Sequence, residues 1–411
     1  MMSNNAVLRI AIRKFGPFES AIQQQYAAFQ AATGCSLPLE FVSLDLNPLY
    51  ETLFTNQGLR NGDWDIAFVN TDWLPEGVEG GAFADLTPYM QAEPVADYPQ
   101  GWAPALTRLQ QFGPAVYGLP YHDGPECFIY RRDLFEDPTE KAAFSARYGY
   151  ELAVPKTWAQ FDDMAHFFTR PKQNLFGTVF AAFPDGHNTV YDFCIQLWSR
   201  GGDLTSPDGQ IILNTPQAAA ALDFYRQIVN DRGATPPGMQ EIDSVKSGEL
   251  FAAGNVAMMI NWFGFAAVCE LSNCPIKGKV DVAPLPVGGA DNRAALNVYW
   301  VLSVGAGSRY LKEAYTFLRF VSQPEMDRLT TLEGGIGCRF STWNDPEVNQ
   351  AIPFYYRLAE LHQSMRELPR SPHFPRLAQI IDQAVQKAIN TGLSTGSILN
   401  EAQAEAASIR L

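Results

Sequence analysis

From Leu8 to Val69 the chain alternates short apolar runs with amphipathic helical stretches, and this alternation limits the fold more than any other feature. Leu8-Arg9-Ile10-Ala11-Ile12, within Val7–Ile12, reads as a strand. Glu19 to Ala32 follows with Ile22, Tyr26 and Phe29 at helical spacing, and Gly34 stands where a C-cap belongs. Leu37–Val42 predicts a second strand, Pro48–Leu59 a helix and Asp65–Val69 a third strand. Repeated strand–helix units imply a parallel sheet covered by helices on both faces. Ligands of such sheets lie beyond the carboxyl ends of the strands. Lys14 and Phe15, then Asn70, Thr71, Asp72 and Trp73, are therefore the first candidates for function.

The run from Tyr117 to Phe135 interrupts this rhythm. It opens on the turn signal Gly118-Leu119-Pro120, passes through the polar, breaker-rich Tyr121-His122-Asp123-Gly124-Pro125, and ends in the strand-like Cys127–Tyr130 before Asp133-Leu134-Phe135. Breakers ahead of a strand keep the backbone irregular there and turn polar side chains toward solvent or a cleft.

A second alternating set follows. Thr157–Thr169 predicts an amphipathic helix with Thr157 near its N-cap, and Phe176–Phe183 a strand leading to the turn Pro184-Asp185-Gly186-His187-Asn188. Val190–Arg200 is a helix ending at Gly201-Gly202, and Pro216–Asn230 a helix with Pro at its start. Val256–Ile260 is a buried strand entering Asn261-Trp262-Phe263-Gly264-Phe265. Val280–Pro286, with prolines at 284 and 286, reads as a second crossover. Val298–Val304 and the helix Tyr310–Val321 then return to the first domain, and the last third is helical across Leu377–Ile389 and Ile398–Ile409.

With 411 residues there is length for two domains, because single cores rarely grow past ~250–300 residues. A net charge of −14 without any Lys/Arg run argues against nucleic acid and anionic membranes as partners. No apolar run is long enough to span a bilayer. Met1–Ala6 lacks the basic and apolar regions of a secretory leader, so either a leader was removed or the protein stays in the cytosol. The cysteines Cys35, Cys127, Cys194, Cys269, Cys274 and Cys338 form no zinc pattern, and no cofactor is expected. Cys269 and Cys274 make the one close pair, a candidate disulfide.

Set in order, these pieces resemble the bacterial extracellular solute-binding proteins of family 1, the maltose-binding-like receptors of ABC importers. The resemblance rests on Gly118-Leu119-Pro120 followed by Ile129-Tyr130-x-x-Asp133-Leu134-Phe135, on Phe251-Ala252-Ala253-Gly254-Asn255-Val256-Ala257-Met258-Met259-Ile260, on Asp281–Pro286, and on Lys312-Glu313-Ala314-Tyr315-Thr316-Phe317-Leu318 with Ser322–Glu325. Where many sugar-binding members carry Gly-Gly-Trp-Gly, this chain has Leu296-Asn297-Val298-Tyr299-Trp300.

The resemblance implies an α/β, two-lobe periplasmic-binding-protein fold of type II, each lobe a mostly parallel sheet flanked by helices. It further implies three hinge crossovers, at Gly118–Phe135, Val280–Pro286 and Phe317–Ser322, with a ligand cleft between the lobes and closure around the ligand. Residues 1–122 and 286–322 would form the N-terminal lobe, 123–285 and 323–411 the C-terminal lobe. The partners implied are a small solute, most simply a carbohydrate, and ABC permease subunits. The protein would be a monomer, periplasmic or on the cell surface after export.

Each candidate site residue has a structural alternative. Asp72-Trp73 is either a helix cap with a packing Trp or, by the resemblance, an acid that accepts sugar hydroxyls beside an aromatic. Phe15 is a site wall or core. Tyr121, His122 and Asp123 lie where hinge and site coincide. His187 and Asn188 either contact ligand from the second lobe or form an ordinary turn. Trp262 and Phe263 stack on a sugar face or pack in the core. Tyr299 and Trp300 are adjacent on a strand, so one of them must face away from any site. Arg339 holds an anionic group or belongs to a surface loop.

Three functions compete: a receptor for a sugar or polyol, the same fold taking a cation such as a polyamine or betaine through cation–π attraction, and a glycoside hydrolase. No pattern pairs two acids for hydrolysis, and Gly-x-Ser-x-Gly, His-Glu-x-x-His and phosphate-loop motifs are absent. The expectation is a receptor and not an enzyme.

Overall fold

The computed structural model describes residues 6–271, 273–289 and 292–411. Its main sheets are built from β1 (Leu8–Arg13), β2 (Leu39–Leu44), β3 (Ile66–Asn70), β4 (Leu119–His122), β5 (Glu126–Arg131), β6 (Met258–Trp262), β7 (Val280–Ala283) and β8 (Trp300–Val304). The chain divides into two compact units. The first holds the residues up to Gly124, Val298–Tyr356 and Arg370–Pro372; the second holds Pro125–Asn297, Arg357–Pro369 and His373–Leu411.

The first unit carries a five-stranded sheet in the order β2-β1-β3-β8-β4. β1 pairs in parallel with β2 and β3, whereas β8 is antiparallel to both β3 and β4, so β8 alone runs against the others. β3 is buried along its whole length, as its continuous apolar run requires in a central strand covered on both faces. Helix Gly16–Thr33 buries Phe18, Ile22, Tyr26 and Phe29, and Gly34 ends it with φ of 71°. The expected helix Pro48–Leu59 is broken: Leu46–Tyr50 runs into a wide turn at Glu51–Thr55, and Gln57 takes φ of 57° before Gly58–Asn61.

The lobe boundaries differ from those expected after residue 285. Residues 286–297 group with the second unit, where Trp158 N–H bonds Val287 O and Ala295–Leu296 pairs with Met365–Arg366. Residues 323–356 group with the first, where Gln25 Nε2 donates to Met326 O at 2.9 Å and to Thr330 Oγ1 at 2.8 Å. Partners this distant in sequence leave no local trace.

In the second unit the sheet order is β6-β5-β7, with both pairings antiparallel. The mostly parallel sheet expected there is thus not what these three strands form. Helices surround them: Trp158–Phe168, Asn188–Ser199, Pro216–Asn230 and Phe374–Asn390. Thr157 and Thr215 cap two of these by accepting from Gln160 N–H and Ala218 N–H. Asn188–Ser199 is buried at every position, packed against Pro216–Asn230 and Phe374–Asn390.

Phe176–Phe183 forms no strand beyond a single parallel bridge from Phe176 to Val256. After Gly177 its bonds go elsewhere, Thr178 N–H to Ala234 O and Phe183 N–H to Ile242 O. Gly177 lies so close to helix Trp158–Phe168 that a Cβ there would come within 1.8 Å of Ala165 O. Gly177→Ala must therefore displace backbone and is expected to cost about 3 kcal/mol. A denaturation midpoint unchanged from wild type would show that this approach is not tight. All six cysteines are free thiols: Cys269 and Cys274 form no disulfide, their thiols donating instead to Phe265 O and Ala252 O.

Candidate functional site

In the first unit, three strands bring polar and aromatic groups to one end of the sheet. Trp300, the first residue of β8, stands in register with Asn70 on β3 and His122 on β4. Asn70 is buried, and its Oδ1 meets no hydrogen-bond donor. His122 Nδ1 accepts the Ile336 N–H at 2.8 Å, which places the ring proton on Nε2. Burial holds the imidazole pKa down to about 4, so the ring is neutral at pH 7. Phe15 is half-buried and meets Phe18 edge-on at 5.1 Å, and Phe18 in turn meets His122 at 4.7 Å. Asp72 follows β3 and is partly exposed; Asp123 is buried beside His122, with its N–H on Ile336 O.

Four first-unit candidates have structural roles instead. Trp73 is 2% exposed, with edge contacts to Tyr50, Phe54 and Trp300. Tyr121 is buried with its hydroxyl on Gln25 Oε1 at 2.9 Å, and Tyr299 with its hydroxyl on Gln110 Oε1 at 2.7 Å. Strand alternation thus turns Tyr299 inward and leaves Trp300 half-buried. Arg339 is no anion holder on a surface loop. Its guanidinium lies 4.2 Å from the Trp102 ring centre, and donates to Ser322 O, Ala96 O and Asp97.

In the second unit the turn before helix Asn188–Ser199 is built by Asp185, whose Oδ1 accepts the His187 and Asn188 N–H groups and whose Oδ2 accepts Asn188 Nδ2–H. With its amide oriented in this way, Asn188 Oδ1 receives the Trp262 indole N–H at 3.3 Å. Tyr191, one turn into that helix, meets Trp262 edge-on at 5.9 Å and His187 at 5.5 Å. The Trp262 ring is thereby fixed at the end of β6 while remaining half-buried. Phe263 is fully buried at the start of the next helix and belongs to the core.

Sequence reasoning missed two buried acids, one of them directly across the strands from Trp262. Glu126 is the register partner of Trp262 across β5 and β6, and is 3% exposed with Oε2 on no donor. Asp192 accepts the Tyr225 hydroxyl at 2.9 Å. Burial, then the charge of Asp192, pushes the Glu126 carboxyl well up; burial, opposed by the Tyr225 bond, pushes Asp192 up to about 8. The available signal was Glu126 itself. It lies on the same strand face as Phe128 and Tyr130, which stack at 5.2 Å, and a charge on a buried strand face is an anomaly. Among the described residues no group of three or more His, Cys, Asp or Glu is placed to hold a metal ion, and no helix is long and apolar enough to cross a membrane.

The sequence profile of the bacterial extracellular solute-binding proteins matches residues 15–327. The chain belongs to that family. Among curated relatives of this solute-binding protein, a probable ABC transporter-binding protein of Deinococcus radiodurans is 25% identical over 86% of this chain and 81% of its own. A putative binding protein of Brucella abortus is 24% identical over 96% of this chain and 90% of its own. Among solved structures, a ribitol-bound ABC transporter solute-binding protein of Agrobacterium radiobacter matches with TM-score 0.85 and 23% identity, covering 98% of each chain. Maltose-bound MalE3 of T. maritima matches with TM-score 0.84 and 22% identity, covering 97% and 98%. The fold of this solute-binding protein is therefore that of the two-lobe, MalE-like binding proteins, a family of binders.

Proposed function

We propose that the protein is the receptor of an ABC importer that captures a sugar or polyol by the hinge closure its family implies and hands it to a membrane permease. The observation that carries this reading is the Trp262–Asn188 bond: it holds a half-buried indole in one orientation, suited to the apolar C–H face of a sugar ring. Asn70, Asp72, His122, Asp123, Trp300 and Phe15 in the first unit, with His187 and Asn188 in the second, are the proposed polar and aromatic contacts. A neutral His122, its Nδ1 taken by the Ile336 N–H, offers its Nε2–H to a solute hydroxyl. Relatives of like fold bind maltose, ribitol and D-mannitol, which favours an uncharged polyhydroxylated solute. The receptor acts as a monomer in the periplasm or at the cell surface, and binds without turnover.

A second reading, a cationic solute, is favoured by one observation: a buried acid, Glu126, stands directly across the strands from the Trp262 ring. Thermal-shift measurements with maltose, ribitol, D-mannitol, glycine betaine and a polyamine separate the two. Saturation at a hundred times Kd stabilises the bound state by about 2.7 kcal/mol. A rise in Tm with a neutral sugar or polyol is the expected result. A rise with the cations alone would refute the sugar reading.

A further inference from the structure

Glu126 and Asp192 present a problem that folding alone does not solve. Two carboxyls taken out of water need cations, donors or protons, and each unsatisfied buried oxygen is unfavourable. Asp192 has the Tyr225 hydroxyl, but Glu126 Oε2 has no donor. Among the described residues, neither acid has a cationic partner. The groups around them are Asp192 and Cys194 on helix Asn188–Ser199, Tyr225 on helix Pro216–Asn230, Cys127 beside Glu126 on β5, and Asp185 in the turn ahead of Asn188. Farther out, across Cys194, the Arg366 guanidinium is paired with Asp203 at 2.5 Å and lies over the Trp198 ring. The cluster thus contains like charges and weak donors, and Glu126 stands on the sheet face that presents Trp262.

We propose that Glu126 is a further recognition residue of this site, its unpartnered oxygen kept for a hydroxyl of the neutral solute, and that Asp192 behind it makes capture pH-dependent. This rests on the sugar or polyol reading above. In a pair of this kind the first proton is held tightly, because removing it leaves two like charges in a dry site. The protonated Glu126 carboxyl donates to the solute hydroxyl and accepts from it, which a carboxylate, an acceptor only, does not. Asp192 acts through Glu126 and is a positioning residue.

The sign of the pH effect follows. Both folded-state pKa values are raised, Asp192 up to about 8 and Glu126 well above the ordinary carboxyl range, so Glu126 keeps its proton through neutral pH and gives it up only at a point on the alkaline side. Affinity for the neutral solute found in the thermal-shift screen is expected to be level on the acid side and to fall by up to about tenfold per pH unit above that point. Isothermal titration across pH reads this directly. Glu126→Gln, which keeps a donor and an acceptor, should weaken capture only a few fold and flatten the profile. Glu126→Leu should weaken it by about tenfold or more. Asp192→Asn removes the like charge and should move the fall to lower pH.

Infrared spectroscopy of the solute-free protein at neutral pH provides a second readout: a protonated-carboxyl band in wild type that loses its Glu126 component in Glu126→Gln. A missing band, a level wild-type profile, or wild-type affinity in Glu126→Leu would each overturn this inference and leave the sugar reading standing. Capture of glycine betaine with proton release into the buffer, and of no neutral solute, would overturn both.

Discussion

Arg339→Met is expected to destabilise the first unit by about 3–5 kcal/mol while leaving solute affinity within about twofold of wild type. The guanidinium is 2% exposed and links three segments: it donates to Ser322 O at 2.9 Å, to Ala96 O at 3.2 Å, and stacks on Trp102. Methionine keeps the apolar stem but leaves those carbonyls without a donor, about 1–3 kcal/mol for a fully buried one. The stacked cation adds about 1–2 kcal/mol. The ion pair to Asp97 contributes little, because Asp97 is 69% exposed. Denaturant unfolding and titration calorimetry on the same variant separate the two roles. A protein of native stability that no longer captures solute would return Arg339 to the binding site.

Trp262→Ala is expected to have the opposite profile, with affinity falling about 30–100-fold and the unfolding midpoint moving little. The ring is half-buried at a strand end, so its removal opens no deep cavity, yet it takes away the flat face on which a sugar would lie. The loss corresponds to about 2–3 kcal/mol of binding free energy. Trp262→Phe should recover part of it, since a smaller ring still stacks but leaves Asn188 Oδ1 without the indole N–H. Affinity within about threefold of wild type in Trp262→Ala would remove this residue from the site and the main support for the sugar reading with it.

Legibility in the sequence followed the range of the interactions involved. Strand–helix alternation, the Gly34 cap, the Thr157 N-cap and the Pro216 helix start are local, and they were readable because spacing of a few residues decides them. The placement of Asn70 at a strand end was also readable, from the polar residues that follow its apolar run; His122 was expected in an irregular loop, and it ends the strand Leu119–His122 instead. The roles of Tyr121, Tyr299 and Arg339 were not. Their partners Gln25, Gln110 and Asp97 lie 96, 189 and 242 residues away, and no spacing rule reaches that far. Glu126 falls between these cases: its position was anomalous on sight, but its neighbour Asp192 becomes visible only when β5 and helix Asn188–Ser199 are in place.

By itself, the order of apolar runs, caps and breakers determined the α/β class, because those features act through neighbours along the chain, while the resemblance to the family rested on the collinear motifs from Gly118 to Glu325. Tertiary structure alone decided which aromatics form the core and which stay half-buried, where 286–297 and 323–356 belong, and that Glu126 and Asp192 lie buried together. The physical reason is that burial and pairing depend on what packs across a side chain. At most of these positions the packing partner comes from a segment remote in sequence.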